Sequence, residues 1–156
     1  MSGIDWPVAR LSADLGYPIP DYVPSPNRFL AARKAGNLVF VSSVTPRRSD
    51  GSEVSGKILV DVSVDAAKDA AKWCVANSLA ALASVVDPTT VVGVVDMLVA
   101  CNTAQEFGDH SEIADAASLH LEALFGAAGR HTRGAIGCAS LVRNVCVVAK
   151  IVYEAM

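Results

Sequence analysis

The fold of this chain is decided by residues 63–101, which read SVDAAKDAAKWCVANSLAALASVVDPTTVVGVVDMLVAC. The first part predicts a helix from about Val64 to Ser84, because Ser63 can cap its N-terminus and charged residues recur at helical spacing on one face. Alanines occupy the opposite face, and their small side chains allow close packing on a sheet. The run Val91–Cys101 is apolar apart from Asp96 and rich in β-branched residues, which predicts a strand covered on both faces.

Further strands and a second helix are predicted on both sides of this pair. They are hairpin strands at Phe29–Arg33 and Leu38–Ser42 with a turn at 34–37, a capping box at 109–112 that opens a helix to Phe125, and strands at Ala135–Leu141 and Val145–Tyr153. The order β-β-α-β-α-β-β predicts an α+β domain of two layers, with two helices on one face of a mixed sheet.

The predicted last strand is apolar on both faces. Its two alternating sets of side chains, over residues 145–152, contain a single charged residue, Lys150. No predicted helix remains to cover the second face of the sheet, so we expect another subunit to bury it.

The first 26 residues form an N-terminal extension to the domain of residues 27–156. A short helix is expected at about Asp5–Leu15, followed by a proline-rich extended connector. The apolar face of this helix is expected to consist of Ile4, Val8, Leu11 and Leu15. Met1–Arg10 lacks the pattern of a secretory signal.

Composition excludes several classes of protein. The 156 residues correspond to one domain, and 52% hydrophobic against 19% charged residues argues against disorder. A net charge of −3 and an absent basic patch argue against nucleic-acid binding. The four cysteines form no CxxC pair, so we expect no metal and a reducing, cytoplasmic location. No apolar run is long enough to span a membrane, and no glycine loop indicates a cofactor.

Two stretches of the chain resemble the Rid/YjgF-like family. Residues 34–42, KAGNLVFVS, are similar to the family's first hairpin, and residues 129–137, GRHTRGAIG, to its arginine motif. The resemblance covers about Phe29–Tyr153, and the N-terminal extension resembles that of a longer subgroup. It implies a chorismate-mutase-like, YjgF-like subunit in a homotrimer, with sites in clefts between subunits. Members hydrolyse reactive enamines or imines as deaminases, and the family also carries the name endoribonuclease L-PSP.

The resemblance also implies a site around Arg133. The matching family arginine binds a substrate carboxylate, for which a guanidinium is well shaped; the alternative is a structural arginine paired with an acid. The glutamate that positions water in deaminating members is replaced by Val148, which cannot bind a proton. The tyrosine of the family's pocket is replaced by Phe29, and a glycine of its hairpin is replaced by Ser43. The proline that usually precedes the arginine motif is also replaced, around His131.

Further site residues are expected in the loop after the central strand. The resemblance implies that this loop lines the cleft, which makes Asn102 a candidate polar contact. Phe107 could cap a pocket or simply pack under the loop, and Cys101 is either a nucleophile or, more simply, a buried small residue. His131 could transfer protons beside Arg133, or bond to the backbone of its own loop. Two acids are candidates to replace the missing carboxylate, Glu122 and Glu154.

Two further histidines lie on the second predicted helix. His120 is on its apolar face and is expected to be a satisfied core or interface histidine, and His110 to be exposed at the helix start.

Two functions remain open from the sequence. The chain could be a trimeric enzyme that binds a small carboxylate and hydrolyses an enamine or imine by a mechanism that departs from the family's. It could instead be a non-catalytic metabolite-binding module. A ribonuclease is disfavoured by the acidic chain.

Overall fold

The computed structural model describes residues 6–24 and 26–156. In this part of the chain, helices and strands follow one another in the order α1-β1-β2-α2-β3-α3-β4-β5. Their bounds are α1 Pro7–Asp14, β1 Ala32–Ala35, β2 Leu38–Val41, α2 Val64–Ala83, β3 Val91–Asn102, α3 His110–Phe125, β4 Thr132–Cys138 and β5 Val147–Ala155.

The strands form one mixed sheet in the spatial order β1-β2-β5-β3-β4. Strands β3 and β4 run parallel, and the other neighbouring pairs are antiparallel. Helix α2 packs on β5 and the hairpin, and α3 packs on β3 and β4. The predicted two-layer α+β fold is therefore confirmed. None of the helices in the described residues is both long and apolar enough to cross a lipid bilayer.

Helix α2 forms as its sequence predicts. The Ser63 hydroxyl accepts a hydrogen bond from the Ala66 amide at 3.1 Å, which satisfies one of the free amides of the first turn. The alanines of the inner face are buried, and β5 presents alternate side chains to them, including Val147 and Ile151. The small residues bring the helix close to the sheet, as expected.

The hairpin register differs from the prediction. Ala35 pairs with Leu38, so the turn contains two residues, Gly36 and Asn37, rather than four. Gly36 has a φ of 59°, in the left-handed region that glycine tolerates best. Strand β1 therefore starts later than predicted, and Phe29 lies exposed before it.

The capping box predicted at 109–112 is wrong. Helix α3 begins here, but the Asp109 side chain caps no amide. Glu112 instead pairs with Lys68 of α2 at 2.5 Å. The Glu112 carboxylate therefore forms an ion pair between the two helices and not the hydrogen bond of a capping box.

The predicted apolar face of α1 is confirmed only at Val8, which packs against the core. Ile4 and Asp5 lie outside the described residues, while Leu11 and Leu15 are exposed. The buried residue of this helix is Ser12, whose hydroxyl donates to the Tyr17 carbonyl at 2.6 Å. The division between residues 26 and 27 stays a prediction.

One face of the sheet carries no helix. Strand β3 was expected to be covered on both faces, but in a single chain its second face is open. The exposed apolar side chains of this open face include Phe40, Leu98 and Ile136, with Val148 and Val152 partly exposed between them.

Candidate functional site

Strand β4 places Arg133 beside helix α3. The strand starts at Thr132, earlier than predicted, and its parallel register sets Arg133 opposite the buried Met97. The side chain therefore points to the helix layer. Its Nη1 donates to Asp115 Oδ1 at 2.6 Å and to Ser118 Oγ at 3.1 Å, and the side chain remains 22% exposed.

His131 belongs to the same hydrogen-bond network. Its Nδ1 lies 2.7 Å from the Gly129 carbonyl oxygen, which can only accept, so Nδ1 carries the proton. In the neutral ring Nε2 is then an acceptor, and Ser118 Oγ donates to it at 3.1 Å. Ser118 thus links Arg133 to His131, and the bond to Gly129 is the contact with the backbone of its own loop that was one of the two interpretations of this histidine.

Gly129 allows this segment to approach α3. A Cβ at this position would overlap the Leu121 carbonyl oxygen and lie 2.9 Å from the Glu122 Cα. Because glycine has no Cβ, the backbone before β4 lies directly on the last turns of the helix. His131 is within reach of Ser118 for this reason.

These side chains line a surface groove of about 530 Å³. Besides the network, the groove contains Glu122 and Arg130, which form an ion pair at 3.5 Å. Of the two acids considered as substitutes for the missing carboxylate, Glu122 therefore shares a surface with Arg133. Glu154 lies on the open face of the sheet, since it is exposed and alternates along β5 with Tyr153 and Ala155, which are buried.

The contacts of Arg133 bear on both interpretations of its role. The pair with Asp115 is what a structural arginine would make. However, among the described residues only its Nη1 has a hydrogen-bond partner, which leaves the edge formed by Nε and Nη2 for a ligand. Asp115 is itself 59% exposed, so the pair is accessible to water and to competing anions.

Phe29 and Ser43 lie at the opposite edge of the sheet from Arg133. Both line a cavity of about 670 Å³ beside the β1–β2 hairpin, together with Asn77 of α2. Val148 is in a third place, on the open face opposite Ala100. A single chain therefore does not bring these residues to Arg133.

Asn102 is a structural residue in this fold. It is fully buried; its Oδ1 accepts from Lys57 Nζ at 2.9 Å, and its Nδ2 donates to Asn144 Oδ1 at 3.0 Å and to the Val145 carbonyl at 3.2 Å. A ligand contact would have to displace one of these bonds. Phe107 is buried nearby, against the ring of His110.

Cys101 is a buried small residue, the simpler of its two interpretations. It is fully enclosed, and burial raises the pKa of its thiol to about 12. The thiolate, which is the nucleophilic form, is therefore not populated at neutral pH. Within the described residues, His, Cys, Asp and Glu side chains form no group of three that could hold a metal ion.

His120 is not the satisfied histidine that was expected. Its residue is 5% exposed, and its Nε2 is buried without a hydrogen-bond partner among the described residues. Burial, and then the positive charge of Lys72, lowers the pKa of His120 to about 4, so the ring is neutral at pH 7.

Sequence reasoning missed two members of the Arg133 network, Asp115 and Ser118. Their spacing with Glu122, at i, i+3 and i+7, is that of one helical face and could have indicated a polar stripe. Only the tertiary structure shows that β4 lies beside this stripe.

The fold has counterparts among solved structures. A protein of unknown function from Agrobacterium tumefaciens superimposes with a TM-score of 0.87 at 27% identity, over 96% of this chain and 94% of that one. A candidate endoribonuclease from Shewanella oneidensis superimposes with a TM-score of 0.80 at 19% identity, over 94% and 98%. TdcF of E. coli, solved with bound serine, has a TM-score of 0.57 at 16% identity, over 88% and 93%. No family model and no curated protein matches the chain.

Proposed function

We propose that this chain, which has the Rid/YjgF-like fold of its structural neighbours, binds a small carboxylate metabolite through Arg133 at clefts between the subunits of a homotrimer. The observation that carries this proposal is the free edge of the Arg133 guanidinium in a partly exposed groove. A guanidinium edge and a carboxylate match as two parallel hydrogen bonds, which are charge-assisted on both sides.

The division of the site over two sheet edges supports a cleft between subunits. Arg133 is on β4 at one edge, whereas Phe29 and Ser43 are at the hairpin edge. Residues at opposite edges can share one ligand only when a second copy places its hairpin beside β4. The open face, with its exposed apolar side chains, offers the surface on which such copies would pack.

The neighbours are consistent with a small ligand. TdcF was solved with serine, a molecule that carries a carboxylate. For this chain the same class of ligand is a proposal that rests on its own arginine.

Hydrolysis of an enamine or imine is our second proposal, favoured by the link from Arg133 through Ser118 to His131. Water would attack the C=N carbon and pass a proton to a basic group of the groove, the nitrogen would be protonated, and ammonia would leave a carbonyl group behind. His131 Nε2 and the Glu122 carboxylate are the proton acceptors present in the groove. Val148 cannot take this role, because it has no ionisable group.

Binding is tested by calorimetric titration with pyruvate, a minimal carboxylate. Arg133→Ala should weaken binding about ten- to a hundredfold, the typical effect of losing a charge-assisted bond, without unfolding the protein. Unchanged affinity, or loss of the folded trimer, would support the structural interpretation of Arg133 instead.

Activity is tested on the imine that forms from freshly generated 2-aminoacrylate. Turnover that falls in His131→Asn or Glu122→Gln would identify the proton acceptor. Carboxylate binding without turnover would leave the non-catalytic module as the function. Val148→Glu adds a distinct test, since a gain in turnover requires Val148 of one copy to lie near Arg133 of another.

A further inference from the structure

A groove that shares no lining residue with the Arg133 groove lies at the end of the sheet where β3 and β4 finish. These two strands are parallel and α3 connects them, so their carboxyl ends and the N-terminus of α3 lie together. Ligands of parallel sheets bind at this end of the strands, and a helix N-terminus there favours anions. The groove has a volume of about 690 Å³, and its polar lining residues include Lys57, Thr103, Gln105 and His110.

Lys57 brings a positive charge without a counter-ion to this groove. Its Nζ donates to Asn102 Oδ1 at 2.9 Å and to the carbonyl oxygens of Thr103 and Ala139, all of which are neutral acceptors. Within the described residues no carboxylate pairs with this ammonium, since Asp61 accepts from the Lys57 backbone amide instead, at 2.9 Å. No acidic side chain of this part of the chain lines the groove, so its potential is positive.

Thr103 contributes a hydroxyl that the fold does not use. The residue is 7% exposed and lines the groove, and its Oγ1 has no hydrogen-bond partner among the described residues. In that part of the chain, His120 Nε2 is the one side-chain atom that is both unpartnered and wholly inaccessible, so the Thr103 hydroxyl keeps its access to the groove. A hydroxyl this deeply buried has lost most of its hydration, and no protein group replaces it. This unused donor indicates a ligand.

His110 directs a ring nitrogen at the same point. A Cβ on Gly137 would overlap His110 Nε2 and lie 3.1 Å from Thr103 Oγ1, so both polar atoms converge on the bare Cα of this glycine. The imidazole is held edge-on against Phe107, with ring centroids 5.4 Å apart, and its nitrogens have no hydrogen-bond partner among the described residues. His110 is also the first residue of α3, whose uncapped N-terminus favours a negative charge.

We propose that this groove is a second small-molecule site, which binds the phosphate group of a phosphate monoester. The ammonium of Lys57 supplies the charge, and the Thr103 hydroxyl and a ring N–H of His110 donate to the terminal oxygens. These donors come from a loop, a strand end and a helix start, and so surround a tetrahedral group, whereas the planar fork of an arginine matches a carboxylate. The organic part of the monoester lies outward, against the exposed Val60 and Ala139.

The test uses phenyl phosphate as the probe and benzoate, a carboxylate on the same ring, as its counterpart, both at constant ionic strength. The chain has three histidines, so the ring nitrogens can be assigned individually by long-range ¹H–¹⁵N NMR. Phenyl phosphate should shift the His110 resonances in a saturable way, and benzoate should bind there at least about tenfold more weakly, because it carries less charge and fewer acceptor oxygens. The His110 response should persist in Arg133→Ala, which separates this site from the proposed carboxylate site.

Two variants decide the result. Thr103→Val keeps the shape of the side chain and removes the hydroxyl, so phenyl phosphate affinity should fall about tenfold while the melting temperature does not fall. Lys57→Met keeps the stem, removes the charge and should weaken binding at least about tenfold, with Lys34→Met, on β1 at the other edge of the sheet, as the control for net charge.

Thr103→Val alone decides if Lys57→Met does not fold. No saturable response of His110, equal binding of benzoate, full phenyl phosphate affinity in Thr103→Val, or a loss of stability in that variant would each overturn the proposal. The last result would show that the hydroxyl serves the fold rather than a ligand.

Discussion

The Asp115→Asn substitution tests how Arg133 is shared between its own chain and a ligand. The amide keeps the shape of the side chain and can still accept a hydrogen bond, but it carries no charge. If Asp115 competes with a ligand carboxylate for the guanidinium, removing its charge should strengthen ligand binding. If Arg133 is structural, the substitution should only weaken the fold.

The magnitude follows from the exposure of the pair. The Nη1–Oδ1 distance is 2.6 Å, but Arg133 is 22% and Asp115 59% exposed, so water screens the pair. Exposed ion pairs contribute about 0.2–1 kcal/mol. If the ligand gains the interaction free energy that Asp115 no longer takes from the guanidinium, its affinity should rise by up to about fivefold. The melting temperature should fall by no more than about 4 °C.

The assay is calorimetric titration with pyruvate beside thermal unfolding, on wild type and variant. Glu112→Gln is the matched control, because Glu112 pairs with Lys68 at 2.5 Å, is 49% exposed and lies outside the groove. It should leave pyruvate affinity unchanged. Weaker pyruvate binding by Asp115→Asn, or a fall in melting temperature above about 10 °C, would refute the competition between Asp115 and the ligand.

Three other predictions concern assembly, packing and reactivity. Val152→Asp places a charge on the open face and should convert a trimer to monomers in light scattering; a wild-type monomer at micromolar concentration would contradict the trimer itself. Gly129→Ala should cost about 1–3 kcal/mol in thermal unfolding, since its Cβ meets the backbone of α3, and a stable variant would show that the segment can move. At pH 8 a thiol reagent should modify Cys138 alone, because the other three cysteines are buried: burial raises the pKa of Cys101 to about 12, of Cys146 to about 11 and of Cys74 well above its usual value, so all three stay protonated. Fast labelling of more than one thiol would disagree.

The long elements were predictable because their signals are local. Helix α2 has its cap, its alanine face and its length in the sequence, and the structure has it at Val64–Ala83. Strand β3 was equally clear from its β-branched run. The short elements were less predictable. The buried face of α1 was misassigned in part, because the periodicity of eight residues is compatible with more than one face, and in the tertiary structure Ser12 is the buried residue.

The capping box failed for a different reason. A motif within four residues competes with every partner that folding brings near, and Lys68 is 44 residues away in sequence. The unsatisfied Nε2 of His120 was missed for a similar reason. The apolar face of a helix predicts that a residue is buried, but whether a polar partner lies beside it depends on the tertiary structure.

The sequence alone determined the fold class, the order of the elements and the arginine at the centre of the proposed site. These depend on hydrophobic periodicity, turn residues and a short arginine motif, which are properties of neighbouring positions. Only the tertiary structure decided that Arg133 contacts Asp115 and Ser118, and that Phe29 and Ser43 lie at the other sheet edge. Such relations depend on the register of strands and the approach of helices, which are set by packing over the whole domain and leave no periodic signal in the chain.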